Sequence, residues 1–170
     1  SAKIYNMDIP YTPKELSQAC LDLVAENNID SGYIRPIAFY GYDTLGVHPK
    51  ECPVSVSIGI FDWGSYLGEG ALENGVRVTV SPWRKFHSTS FPTVAKSSGQ
   101  YLNSLLAVQD AKAKGFDEAL LLNQEGTIAE GAGQNIFIIK NGALYTNAED
   151  SSILMGITRE TLIYLTEEME

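Results

Sequence analysis

Cysteine is scarce. The two in 170 residues, Cys20 and Cys52, are too few for a disulfide framework or a cysteine-built zinc cluster. Histidine is as rare: His48 and His87 stand alone, without a partner at ligand spacing, so no metal site is expected. Positive charge is also short. Lysine plus arginine number 12 against 21 aspartates and glutamates, a formal net charge of −9. No basic cluster offers nucleic acid an electrostatic footprint, and an anionic membrane surface would repel the chain. Long apolar runs are missing: the longest, such as IGIF (58–61) and ALLL (119–122), fall far short of the ~20 residues a membrane-spanning helix needs. The start, SAKIYNMDIP, lacks the charged-then-apolar layout of a signal peptide, which makes the cytoplasm the default expectation. What remains, 44% apolar and 19% charged residues, is an ordinary globular balance that excludes disorder and low complexity.

Local signals then place the elements. Thr12-Pro13-Lys14-Glu15 reads as a capping box, with proline at the first helical position. Leu16, Ala19, Cys20, Leu23 and Val24 follow at helical spacing, predicting one apolar face with Cys20 buried on it. YIRPIAFYG (33–41) and the alternating VSVSIGIF (54–61) read as strands, with Pro36 pointing to an edge, a bulge or an early end. The glycine-rich DWGSYLGEGALENG (62–75) reads as a linker, before VRVTVSPW (77–83) resumes strand character. A helix is expected over 100–115, stopping at Gly115, with Leu102, Leu105, Leu106 and Gln109 on its inner face. EALLLN (118–123) predicts a strand. Asn141-Gly142 between two apolar runs predicts a two-residue type I′ hairpin. A last helix is expected from Thr158 to Glu170. It ends without a glycine cap and with anionic residues where the helix dipole favours cations, and the chain opens without a cap or turn. The expectation is a middle piece of a longer polypeptide.

Four places carry more chemistry than a core needs. Lys96, in TVAKSSGQYLNS, lies among small residues between strand and helix. It is either a solvated surface lysine or a desolvated amine able to act as a nucleophile. Glu130, in IAEGAGQNIF, precedes glycines that let the backbone approach a ligand closely. It is either a turn glutamate or a carboxylate that holds a proton on a heterocyclic nitrogen. SSILMGITRE (151–160) is either a helix capped by Thr158, or an anion site made by the N–H groups of Gly156, Ile157 and Thr158 with the Thr158 hydroxyl. Arg35, inside an apolar strand, needs an anionic partner, either a structural carboxylate or that of a substrate.

In this order, SAKIY, YIRPIAFYGYDTLGVHP, DWGSYLGEGAL, AKSSGQYLNSLLAVQDAKAKGFDEALLL, EGAGQNIF and SSILMGITRETL resemble the fold-type IV pyridoxal-phosphate enzymes, most closely the branched-chain amino-acid aminotransferases. The resemblance implies a two-domain α+β fold, D-amino-acid aminotransferase-like and truncated at both ends. Residues 1–62 would be the C-terminal part of a small domain, 63–69 the interdomain linker, and 70–170 the N-terminal half of the large cofactor-binding domain. The cofactor implied is pyridoxal 5'-phosphate, in aldimine linkage with Lys96, which later shuttles the α-proton. The same likeness implies Tyr101 on the cofactor's phenolic oxygen and Glu130 on its pyridine nitrogen. It also implies that Leu154, Gly156, Ile157 and Thr158 form the phosphate-binding turn. Tyr33, Arg35, Trp63 and Tyr66 match the substrate pocket, and GVHP (46–49) a loop lent to a neighbouring subunit, which implies a homodimer or an assembly of dimers. Ser97 and Ser98 depart from the usual alanine or glycine. The implied reaction moves the amino group of L-leucine, L-isoleucine or L-valine to 2-oxoglutarate. The alternatives are a D-amino-acid aminotransferase, an aminodeoxychorismate lyase, or a piece that is inactive in isolation.

Overall fold

The structure, a computed structural model, describes residues 1–169. The chain forms two compact units, one spanning Ala2–Gly68 and the other running from Glu69 onward together with Ser1.

In the first unit a 3₁₀ turn (Ala2–Tyr5) precedes helix α1 (Pro13–Asn27) and an antiparallel pair, β1 (Tyr33–Tyr40) and β2 (Val54–Phe61). The capping box forms as the sequence predicts. Thr12 Oγ1 accepts the Glu15 amide at 3.2 Å, while Glu15 Oε2 accepts the Thr12 amide at 2.7 Å. These bonds to Thr12, its backbone N–H first, hold the Glu15 carboxyl below the usual carboxylate range. The face of α1 is shallower than expected. Leu16, Cys20, Leu23 and Val24 are half-buried and Ala19 is exposed, because α1 packs only on a two-stranded ribbon. Cys20 is therefore half-buried, not buried. Strand β1 passes through Pro36 opposite Ile58 without ending. In a two-stranded ribbon each strand has an open edge, so the missing N–H breaks no second ladder.

In the second unit, helix α2 (Ala71–Asn74) adds one turn inside the segment expected to be a plain linker. Strand β3 (Val78–Val80), helix α3 (Gln100–Ala113) and strand β4 (Glu118–Leu122) form a crossover that leaves β3 and β4 parallel. Strand β5 (Ile128–Gly131) adds antiparallel to β4, giving the order β3-β4-β5. A hairpin of β6 (Phe137–Lys140) and β7 (Ala143–Thr146) turns at Asn141 and Gly142, with φ of 53° and 79°. Positive φ at both positions is the type I′ geometry.

The core joins Ala107, Ala111, Ala119, Leu121 and Ala132, with Val108 and Phe116 packed on it. It corrects the reading of α3. The buried stripe is Gln100, Asn103, Ser104, Ala107 and Ala111, whereas Leu102, Leu105 and Leu106 are exposed. Both stripes have helical spacing and lie two residues, or about 200°, apart. Small side chains let α3 settle close on β4, a choice that hydrophobicity alone reverses. Helix α4 (Ile157–Glu168) is anchored by buried Arg159, whose Nη2 donates to the Asn147 carbonyl at 2.5 Å. Glu170, where the sequence extends this helix, lies outside the described residues. Among the described residues no helix is long and apolar enough to cross a membrane, and no cluster of His, Cys, Asp and Glu is set to hold a metal.

Candidate active site

Glu130 sits in β5 opposite Leu121, a strand position where the sequence suggested a turn. Its side chain is almost wholly enclosed, with 6% of the residue exposed. Three donors surround the carboxylate. Lys85 Nζ lies 2.5 Å from Oε1, and Oε2 accepts the Leu154 amide at 3.0 Å with Asn135 Nδ2 at 3.4 Å. Lys85 is itself only 2% exposed. The segment carrying it runs along β4, its amide donating to the Leu122 carbonyl at 2.9 Å as Ser81 does to Leu120 at 2.8 Å.

A small cavity of about 40 Å³ opens beside this pair, lined by Lys85, Gln100, Tyr101, Glu130, Asn135 and Leu154 among others. Three of the residues expected at a cofactor, Tyr101, Glu130 and Leu154, thus meet at one place. Lys96 does not line the cavity and is exposed. The burial that the sequence reading assigned to a reactive amine falls on Lys85. What fixes the Lys96 loop is Gln100, whose buried side-chain amide donates to the carbonyls of Thr93, at 3.2 Å, and of Ala95.

The start of α4 is tied to the same carboxylate. Asn135 Nδ2 donates to the Leu154 carbonyl at 2.8 Å, and Gly156 makes room for this side chain, since a Cβ built there would overlap Asn135 Oδ1. Gly156, not Thr158, is the N-cap residue, and no side chain caps the helix. Thr158 lies within the first turn, exposed, behind an Ile157 that is 83% exposed. The first of the two sequence readings, a helix capped by Thr158, is thus corrected, and the first amides of α4 have no side-chain partner.

The other predicted residues gather in the first unit. Tyr33 and Trp63 meet edge to face at 4.4 Å between ring centroids, and Trp63 meets Tyr66 at 5.6 Å. Arg35 is exposed and forms no ion pair among the described residues, which corrects the alternative of a structural carboxylate partner. Its guanidinium carbon stands 4.9 Å over Trp63, 5.3 Å over Tyr33 and 5.8 Å over Phe61, and cation–π contact serves it at a solvated position.

Sequence reasoning missed Lys85, Asn135, Gln100 and Phe61. Phe61 was within reach, because pairing the two expected strands as a hairpin sets it opposite Tyr33. The others carried no usable signal. A lysine after Trp83-Arg84 reads as basic surface, and amides beside glycines read as turn residues.

Residues 1–170 match the family described as amino-transferase class IV. The chain is 46% identical over 168 residues to the branched-chain-amino-acid aminotransferase of Pseudomonas aeruginosa, covering 99% of this chain and 54% of that one. It is 43% identical over 170 residues to the Escherichia coli K12 enzyme of the same name, covering 99% and 55%. The chain thus spans about half the length of the curated relatives it matches. Its fold superposes on the crystal structure of the E. coli branched-chain amino acid aminotransferase with a TM-score of 0.96 at 43% identity, over 99% of this chain and 56% of that one. On the T.th. branched-chain amino acid aminotransferase with pyridoxamine 5'-phosphate the TM-score is 0.91 at 43% identity, over 99% and 55%. The α+β architecture is that of the fold-type IV aminotransferases, and the chain belongs to the class IV amino-transferase family.

Proposed function

We propose that this chain carries the cofactor-binding centre of a pyridoxal-phosphate-dependent transaminase that moves the amino group of L-leucine, L-isoleucine or L-valine to 2-oxoglutarate. The observation that carries the reading is the enclosed Glu130 carboxylate beside Tyr101, tied through Asn135 to the uncapped start of α4. The branched-chain relatives at 43–46% identity support the substrate class.

Pyridoxal 5'-phosphate fits this donor set. An enclosed carboxylate suits a protonated ring nitrogen, a phenol suits an adjacent oxygen anion, and unfilled amides at a helix start suit a phosphate. Glu130 would hold the ring nitrogen, Tyr101 the phenolic oxygen, and the amides of Gly156, Ile157 and Thr158 with the Thr158 hydroxyl the phosphate. Leu154 completes the turn. When bound, the cofactor supplies an electron-withdrawing ring that takes up the electron pair released when the substrate Cα–H bond breaks. Lys96 Nζ would hold the cofactor covalently and, once the incoming substrate amine has displaced it, would be the free amine that accepts the α-proton and returns it at the neighbouring carbon. Arg35 pairs with the side-chain carboxylate of glutamate, while Tyr33, Trp63 and Tyr66 cover branched apolar side chains and exclude water. We assign the working form as a homodimer or an assembly of dimers. Exposed Leu45, next to the GVHP segment, and Val47 within it support that assignment.

The test uses the complete protein with added pyridoxal phosphate. A visible absorbance band, made permanent by borohydride, with turnover of L-leucine and 2-oxoglutarate well above that of D-alanine, is expected. No band, or turnover confined to D-alanine, overturns the reading. Gly156→Ala is expected to displace Asn135 and lower turnover about 10²-fold, since misplacement by an ångström has costs of that order. Steady-state kinetics with L-leucine measures it.

A further inference from the structure

Lys85 has no role in anything proposed so far, yet its ion pair with Glu130 is the most enclosed among the described residues. The side chains are 3% and 8% exposed, and the closest atoms are 2.5 Å apart. Its layout argues against an accident of packing. Lys85 lies on the segment bonded to one edge of β4 through Leu122, and Glu130 lies on β5 at the other edge. Backbones two strand spacings apart are separated by about 10 Å, which only two long side chains extended toward each other can bridge. The Lys85 backbone is held from both sides, because Gln124 Nε2 also donates to its carbonyl at 3.0 Å. Of the three donors on the Glu130 carboxylate, the amides of Leu154 and Asn135 are neutral and Lys85 alone brings charge.

We propose that Lys85 is a positioning residue of the reacting centre: its buried ammonium aims Glu130 and offsets part of the carboxylate's charge. This rests on the reading of Glu130 as the partner of the ring nitrogen. A carboxylate shared with an ammonium holds a second cation less strongly than a carboxylate alone, since the low-dielectric surroundings screen neither charge. Lys85 therefore weakens the grip of Glu130 on the ring-nitrogen proton, and it lines the cavity that Tyr101 borders. Tyr101, at the start of α3, is the other titratable residue lining the cavity, and Glu118 of β4 lies beyond it behind Gln134. Glu118 is occupied with the Gln134 amide at 3.2 Å.

The experiment compares the complete, cofactor-loaded protein with its Lys85→Gln, Lys85→Met and Lys85→Arg variants by titrating the visible absorbance band against pH. Removing a nearby positive charge favours protonated forms. In Lys85→Gln, which keeps a hydrogen-bond donor, the band is therefore expected to titrate about one pH unit higher. Lys85→Arg, which keeps the charge, should titrate close to the parent. Lys85→Met repeats the comparison with no donor should Lys85→Gln fold poorly. Thermal unfolding of the cofactor-free forms reports the structural cost separately. A neutral variant that folds, binds the cofactor and titrates like the parent overturns the proposal and leaves Lys85 a purely structural residue. A parent that shows no visible band at all overturns the functional reading instead.

Discussion

Lys96→Ala should abolish the borohydride-fixed adduct and lower turnover of L-leucine by about 10⁴-fold, the upper range for loss of a positioned proton-transfer group. Two amines compete for the assignment. Lys85 is buried at the cavity but lies 2.5 Å from Glu130 Oε1, and an amine in an ion pair has its lone pair occupied by a proton. Lys96 is exposed and forms no ion pair among the described residues, and its loop is pinned by the bonds of Gln100 to Thr93 and Ala95. Mass spectrometry of the reduced protein is therefore expected to place the adduct on the Lys96 peptide. An adduct on the Lys85 peptide would reverse the assignment. Because Lys96 is exposed, Lys96→Ala should leave stability within about 0.5 kcal/mol of the parent, so lost activity cannot be blamed on unfolding. A urea titration of both proteins checks this.

The contrast between these two lysines shows what the sequence carried and what it hid. Features fixed by neighbours in the chain were legible. The Thr12–Glu15 capping box forms between residues three apart, and the Asn141-Gly142 turn is decided by its own two backbone conformations. Features fixed by strand neighbours were not. Lys85 and Glu130 are 45 positions apart and meet only because β4 lies between the segments that carry them. The reversed face of α3 failed for another reason. Its leucines and its small residues have the same periodicity, and closeness of packing against β4 chose the small ones. Arg35 misled because a charge inside an apolar strand suggests burial, whereas β1 keeps that position in solvent against aromatic faces.

Glu130→Gln is the second large effect, and it acts on both stability and turnover. The glutamine still accepts the Leu154 amide but leaves the Lys85 ammonium buried without a counter-charge. Removing one member of a buried pair costs about 3–5 kcal/mol, so a substantial drop in urea midpoint is expected. Turnover should fall by about 10²–10³-fold, the usual loss when one group stabilising developing charge is removed. A second variant separates the two consequences. Replacing both members, as in Lys85→Met with Glu130→Leu, removes the uncompensated charge, and apolar substitutes for a buried ion pair often restore or raise stability. The double variant is thus expected to unfold near the parent's midpoint while remaining as inactive as Glu130→Gln or more so. Recovery of turnover along with stability would mean that Glu130 serves only the fold, and would remove it from the reacting centre. Recovery of stability alone would leave the carboxylate needed for a reason packing cannot supply, namely its charge at the ring nitrogen.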